Sequence, residues 1–174
     1  HRKNWNARSR TGSAAIARPQ TRAHLSSPAQ RRGCVGDSAA DSMDELIYAA
    51  GDGDSNGVDL YLMRSLQAGG SAVGILRALT NHLMRLESAG ARIAQGDSVS
   101  SVLKSLRPPV FYKLERRFQR QLRIWKGNAL ARGLKLTLDA ELQCKTTGLP
   151  EDAVCGRALL QIASLARQRQ RHVR

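Results

Sequence analysis

Apolar side chains recur every three or four residues over most of the chain from Asp41 onward, which is the period of an amphipathic helix. The clearest case is residues 71–97, where Leu76, Leu79, Leu83, Leu86 and Ile93 fall on one helical face. No segment alternates apolar and polar residues convincingly, as a half-buried strand does. The pattern therefore predicts an all-α protein.

Start and stop signals divide this pattern into helices. Ser42 and Glu45 form a capping box that opens the first predicted helix, and Gly51 ends it. The second is predicted to end before Gly69, with an inward stripe of Val58, Leu62, Met63 and Leu66. A short fourth helix begins at Ser98 and must end before Pro108-Pro109, because proline keeps the preceding residue out of the α region.

Three more helices are predicted in the second half. The fifth begins near Pro109 and faces inward with Phe111, Leu114, Phe118, Leu122 and Trp125. The sixth runs from about Asn128 to Thr147 and stops at Gly148. The seventh begins near Pro150 and buries Val154, Ala158, Leu159, Ile162 and Leu165. The expectation is a bundle of about seven helices with short loops.

The first 33 residues have a different composition. Residues 1–32 contain no acid and no periodic apolar positions, so they are predicted to be a basic segment of low order. A disordered basic arm and an organelle transit peptide are both compatible with this composition. The helical domain is assigned to 34–170, followed by a basic tail at 171–174.

Composition narrows the class further. The chain has 174 residues, 41% apolar and only 4% aromatic, which favours one helical domain. It has no apolar run long enough to span a membrane. Cys34, Cys144 and Cys155 form no CxxC motif, and the histidines are scattered, so we expect reduced thiols in a cytoplasmic protein without a metal or cofactor. Because the sequence starts at His1, we expect a fragment of a longer protein.

The net charge of +14 is unevenly distributed. Residues 104–135 contain ten Lys or Arg and one acid, Glu115. On the fifth predicted helix a basic stripe runs beside the apolar face: Lys113, Arg116, Arg117, Arg120 and Arg123. Contact with a phosphate backbone, an acidic partner protein and a solvated face all remain open as readings. No aromatic residues interleave with these cations to stack on bases, so sequence readout is not expected.

Candidate catalytic residues are few. Glu141 and Lys145 lie four residues apart on one helical face, in the favourable orientation for a surface ion pair. A general base would need a pocket and a second partner, which the neighbouring sequence does not supply. The pair is predicted to be a structural strut, and no active site can be assembled elsewhere.

Five segments in order resemble one known family: CVGDSAADSMDELIYAAGDGD (34–54), AVGILRALTNHLMRL (72–86), LRPPVFYK (106–113), FQRQLRIW (118–125) and LDAELQCKTTGLP (138–150). Together they resemble the C-terminal part of the DNA polymerase III delta subunit of the bacterial clamp loader. The resemblance covers about residues 34–168. Its most specific pieces are LRPPVFYK and the Ala-Glu-x-x-x-Lys-Thr-x-Gly run at 140–148.

The resemblance implies a helical domain that packs with partner subunits, the ATPase motor subunits and delta-prime, into a collar. It implies that Phe111, Phe118 and Trp125 serve core or collar packing and that Glu141 and Lys145 match the family's acid–base pair. The subunit itself would not hydrolyse ATP. The family is catalogued with DNA-directed DNA polymerase activity, which describes the holoenzyme. DNA contact through the basic stripe is a secondary expectation, and no small-molecule substrate is implied.

The sequence departs from the family before residue 34. The module that grips the sliding clamp has no counterpart here, so clamp opening cannot be transferred to this chain. Residues 1–32 also allow a third reading, an out-of-frame or misassigned start. The rival function from the residues alone is a stand-alone basic helical module that binds nucleic acid.

Overall fold

The computed structural model describes the backbone of residues 28–146 and 148–173 and the side chains of 40–146 and 148–171. Within those residues it contains seven α-helices, one short 3₁₀ helix and no strand, which confirms the all-α prediction. The helices are α1 (Pro28–Asp52), α2 (Ser55–Gln67), α3 (Ala72–Ala94), α4 (Val99–Ser105), the 3₁₀ helix (Tyr112–Leu114), α5 (Glu115–Ile124), α6 (Asn128–Cys144) and α7 (Glu151–Val173). None of the helices in this part of the chain is long and apolar enough to cross a lipid bilayer.

Side-chain caps fix the starts of three helices. Asp54 accepts a hydrogen bond from the backbone N–H of Gly57 at 3.1 Å, which begins α2. In the same way, the side chain of Ser71 accepts a backbone hydrogen bond at the start of α3, and the side chain of Ser98 accepts one at the start of α4. Each cap gives a partner to a backbone donor that the helix itself leaves unpaired.

The central element is α3, which packs against α1, α4, α5, α6 and α7. Its predicted stripe forms the middle of the core, since Leu76, Leu79, Leu83 and Leu86 are fully buried. The inward residues predicted for α7 are buried as well: Val154, Ala158, Leu159, Ile162 and Leu165. The helical period was therefore sufficient to identify the buried faces of these two helices.

Two predicted inward side chains point outward instead. Met63 of α2 is 61% exposed, because the inward face of that helix is carried by Val58 with the half-buried Leu62 and Leu66. Phe111 is 53% exposed, because α5 begins only at Glu115 and Phe111 lies in extended backbone before the 3₁₀ helix. The fifth helix is thus shorter than predicted at its N-terminal end.

Helix ends differ from the predictions in three more places. Helix α1 begins at Pro28, so Ser42 and Glu45 lie inside it and do not cap it. Helix α6 ends at Cys144, before the predicted Thr147, which lies outside the described residues. Helix α7 continues to Val173, into the predicted tail. Of the predicted basic segment, residues 1–27 lie outside the described part of the chain.

The turn from α1 to α2 passes close to α7. Gly53 has a φ of +79°, and a Cβ atom there would lie 3.0 Å from the backbone nitrogen of Arg167. Both the left-handed backbone and the close approach require glycine at this position. Arg167 donates to the carbonyl oxygen of Gly53 through Nε and Nη2, at 3.2 and 2.9 Å, which joins the two helices.

Candidate interaction surface

The end of α1 and the inner side of α5 are joined by a group of polar residues that we call the Asp52 cluster: Glu45, Asp52, Arg117, Arg120 and Gln121. Arg117 donates from Nε to Asp52 Oδ2 at 2.7 Å and from Nη1 to Glu45 Oε2 at 2.7 Å. Arg120 donates from Nη2 to the same Asp52 oxygen at 3.0 Å. Two cations of the basic stripe are therefore already occupied by acids of α1.

The pair at the centre of the Asp52 cluster, Asp52 and Arg117, is largely shielded from solvent. Only 10% of the Asp52 side chain and 24% of the Arg117 side chain are exposed. Burial opposes the charged form of Arg117, but the hydrogen bonds that it donates to Asp52 and Glu45 outweigh this effect and raise the pKa of the guanidinium. Arg117 also lies 5.2 Å from the centre of the Tyr48 ring, a cation–π contact. Its role is to hold helices together.

The cluster extends into the core through Gln121. The amide nitrogen of Gln121 donates to Asp52 Oδ1 at 2.8 Å and to the Tyr48 carbonyl oxygen at 3.2 Å. Its oxygen lies 2.6 Å from Nε2 of His82, so that nitrogen must be the donor. A side chain at Gly51 would collide with Gln121, since a Cβ there would lie 2.7 Å from the amide oxygen.

His82 is buried and neutral. Burial lowers the pKa of its imidazole to about 4, although the hydrogen bond with Gln121 acts in the opposite direction. The ring also packs against Tyr48 and Phe118, with centroid distances of 4.7 and 5.7 Å. His82 is a core residue that links α3 to α5.

This polar core was not predicted from the sequence. Gln121 and His82 each carry a signal that could have identified them. His82 stands one residue before Leu83 within the apolar stripe of α3, and Gln121 lies three residues after Phe118 on the inward face of α5. A polar residue at a buried helical position needs a buried partner.

Glu141 and Lys145 form the predicted ion pair, with 2.7 Å between Lys145 Nζ and Glu141 Oε1. The same oxygen accepts a hydrogen bond from Arg77 Nε of α3 at 2.9 Å, a contact that the sequence did not reveal. The hydrogen bonds from Lys145 and Arg77 hold the pKa of Glu141 below its usual value. The arrangement is a strut between α3 and α6.

The remaining members of the basic stripe face solvent. Lys113, Arg116 and Arg123 form no ion pair within the described residues, and Lys113 instead lies over the rings of Phe111 and Tyr112. On a helix of 3.6 residues per turn, Arg116 and Arg123 share one face. The free positive charge of α5 is thus concentrated on its outer side.

Phe111 and Tyr112 form an exposed aromatic pair just before α5. Their ring centroids are 4.8 Å apart, and 53% and 69% of the two side chains are exposed. The segment that carries them is held in place because Arg85 of α3 donates to the Pro108 carbonyl oxygen at 2.8 Å. Phe118 and Trp125, by contrast, are buried in the core.

Apolar side chains are exposed on other helices too. Leu138 and Leu142 lie one turn apart on α6, and Leu60 and Met63 stand on α2. Exposed aromatic and aliphatic side chains on an ordered backbone are typical of protein–protein contact surfaces. Phe111 and Tyr112 are the candidates that combine large rings with a fixed position.

No metal-binding group of three or more His, Cys, Asp or Glu side chains occurs in the described part of the chain. Cys144 and Cys155 are buried free thiols, and burial raises the pKa of Cys155 to about 12, which keeps it in the unreactive thiol form.

Comparison with known proteins gives no relative. No protein-family model matches the sequence, and neither a curated protein nor a solved structure matches it. The resemblance to the delta-subunit family thus stays a prediction carried by the quoted motifs.

Proposed function

We propose that this chain is a non-catalytic, cytoplasmic subunit fragment that acts by association, as a helical collar domain of a bacterial clamp loader of the delta type. Its partners in this proposal are the ATPase motor subunits and delta-prime. The mechanism is packing of exposed apolar side chains against neighbouring subunits, which positions the ATPase modules for loading the sliding clamp onto primed DNA.

The observation that carries the proposal is the exposed pair Phe111 and Tyr112. These residues belong to LRPPVFYK, one of the two most specific motifs of the resemblance, and they contribute little to the core of the chain itself. Aromatic side chains often dominate binding energy when a partner buries them. The ordered segment behind them lowers the entropic cost of that burial, because it is already held by Arg85.

Co-purification of the full 174-residue chain with the motor subunits and delta-prime tests the proposal. A complex is expected on size exclusion, and replacing both Phe111 and Tyr112 with Ser should weaken it at least about tenfold. The matched control is Leu60→Ser, which removes an exposed apolar side chain from α2. Failure of the unaltered chain to join either partner would rule the proposal out.

A second candidate is a stand-alone nucleic-acid-binding module, which the solvent-facing cations Lys113, Arg116 and Arg123 favour. Three phosphate contacts would give a salt slope of about −2 to −3 in a plot of log affinity against log salt. Retention of duplex DNA by the chain alone, with that slope, would favour this function over the collar. Arg117 and Arg120 are already paired with Asp52, so fewer cations are left to bind phosphate.

A further inference from the structure

Helix α6 packs against α3 and α7 on its inner side and carries exposed leucines on its outer side. Leu138 is 49% exposed and Leu142 is 65% exposed, so both side chains are open to a partner. Steps of four and three residues continue this line in both directions. We call the set, whose members are all exposed, the α6 stripe: Ala131, Lys135, Leu138, Leu142 and Lys145. Alternating steps of four and three are the spacing of the contact line between two packed helices.

The apolar part of the α6 stripe is narrow. Glu141 borders it on the side of α3, where it accepts a hydrogen bond from Arg77. Asp139 borders it on the opposite side, where it pairs with Lys135 at 3.4 Å. Helices that lie in a membrane surface bury a broad apolar face, whereas a line one side chain wide fits a single helix. The width of the stripe and the carboxylates on both sides therefore favour a helix over an anionic lipid surface.

A lysine stands beyond each end of the leucine pair. Lys135 and Lys145 are ten positions apart, or about 15 Å along the helix axis. Their side chains are 78% and 49% exposed, and each ammonium donates one of its three N–H groups to Asp139 or Glu141. The remaining N–H groups are available to carboxylates of a partner. Arg132 is exposed as well, so the outer side of α6 keeps an excess of positive charge.

This distribution of charge opposes a second copy of the chain as the partner. In an antiparallel pair centred between Leu138 and Leu142, Lys135 would face Lys145 of the other copy. In a parallel pair each lysine would face its own counterpart. Like charges placed opposite each other disfavour association. Residues 1–27 contain no acid, so they do not complement the lysines either.

A nucleic acid fits only part of the same surface. Its phosphates would pair with Lys135 and Lys145, but the leucines between them have no ring on which a base can stack. An occupant with carboxylates at both ends and apolar side chains in the middle is complementary to the whole stripe.

We propose that the α6 stripe binds an acidic amphipathic helix of a partner protein. Two apolar side chains of that helix, one turn apart, pack on Leu138 and Leu142. Its carboxylates, about ten positions apart, lie beside Lys135 and Lys145. The apolar contacts provide affinity, and the charges at the two ends fix the register of the partner helix.

The experiment is a selection on the full chain from a displayed library of helical peptides of about 18 residues, randomised along one face, followed by fluorescence titration of the enriched peptides. We expect enrichment of peptides that combine two apolar residues one turn apart with Asp or Glu on both sides of them. Their affinity should fall about tenfold or more when Leu138→Ala and Leu142→Ala are combined. It should fall about threefold or more in Lys135→Glu, which reverses the charge at one end of the stripe.

The matched control combines Leu60→Ala with Met63→Ala, because these exposed apolar residues lie one turn apart on α2. This control should bind the enriched peptides as the unaltered chain does. Circular dichroism shows whether each variant is folded. Lys135→Glu, which changes only an exposed lysine, provides the test if the double leucine variant is not folded.

Three results would overturn the proposal. The first is a selection that does not enrich acidic amphipathic peptides, or enriches peptides whose affinity the α6 variants leave unchanged. The second is a dimer of the chain in analytical ultracentrifugation that the double leucine variant abolishes, since a second copy would then cover the stripe. The third is binding of phosphatidylcholine–phosphatidylglycerol vesicles, or of duplex DNA, that the same variant abolishes.

This inference goes beyond collar association, because the α6 stripe and the Phe111–Tyr112 pair lie on different elements. Peptide binding is measured on the chain alone, without clamp-loader subunits. The chain with Ser at positions 111 and 112 should still bind the enriched peptides, so the two proposals can fail separately.

Discussion

Arg117 and Asp52 lie 65 positions apart in the chain and form an ion pair of 2.7 Å with little solvent around it. This pair connects the end of α1 to α5 and is shared with Arg120 and Gln121. Hydrogen bonds to charged groups in such partly buried places stabilise more than ion pairs at the surface.

The first prediction concerns this pair. Asp52→Asn should lower the free energy of unfolding by about 1.5–3 kcal/mol, because Arg117 and Arg120 lose their shared carboxylate charge. The measurement is urea denaturation at neutral pH. Lys135→Met breaks the more exposed Lys135–Asp139 pair of 3.4 Å and should cost less than about 1 kcal/mol. Equal losses in the two variants would show that burial gives the Asp52 cluster no advantage.

The second prediction concerns His82 and pH. Its folded pKa of about 4 lies below the unfolded value of 6.5, so between these values only the unfolded chain takes up the proton. The contribution of neutral His82 is fully present above pH 6.5 and is lost as the pH falls toward 4. The loss should be about 3 kcal/mol in total.

Comparison with His82→Gln isolates this effect, because that variant keeps a polar group but does not titrate. The unfolding free energy should fall more steeply between pH 7 and pH 4 for the unaltered chain than for the variant, whereas the other titrating groups affect both chains equally. Parallel pH profiles would mean that His82 is accessible to protons in the folded state.

The third prediction separates a buried leucine from an exposed one. Leu83 is fully buried in the stripe of α3, and Leu83→Ala should cost about 2–5 kcal/mol of unfolding free energy. Leu142 is 65% exposed on α6, and Leu142→Ala should change stability by less than about 0.5 kcal/mol. Chemical denaturation of both variants provides the check. A near-zero effect at Leu83 would contradict the position of α3 at the centre of the core.

The sequence was informative where one helical face is uniformly apolar. The stripes of α3 and α7 predict their buried residues because the buried positions of a regular helix recur with the helical period. Phe111 was misplaced because α5 begins only at Glu115, and the contact of Arg85 with Pro108 just before it is one that no local pattern encodes. Element boundaries are set by such tertiary contacts as much as by start signals.

The candidate surfaces were predictable in part. The Glu141–Lys145 pair follows from a spacing of four residues. Arg77, which also contacts Glu141, lies 64 positions away from it in the sequence and could not be predicted in this way. The basic stripe could be recognised from the sequence. Which of its cations are paired could not, because Arg117 is paired and Arg123 is not only as a result of where α1 ends.

The last prediction concerns the proton affinity of Glu141. Two cations hold this carboxylate in its charged form, so its pKa in the folded chain should lie below the ordinary glutamate value. An NMR titration that follows the Glu141 carboxyl carbon measures this directly. Lys145→Met should raise the pKa more than Arg77→Met does, because the hydrogen bond from Lys145 has the larger effect.

The stabilising contribution of the strut is present above the unfolded pKa and is lost as the pH falls through the lower folded value. Arg132→Met, which removes an exposed cation elsewhere on α6, is the control and should leave the titration unchanged. A pKa insensitive to both Lys145→Met and Arg77→Met would mean that the strut between α3 and α6 does not persist in solution.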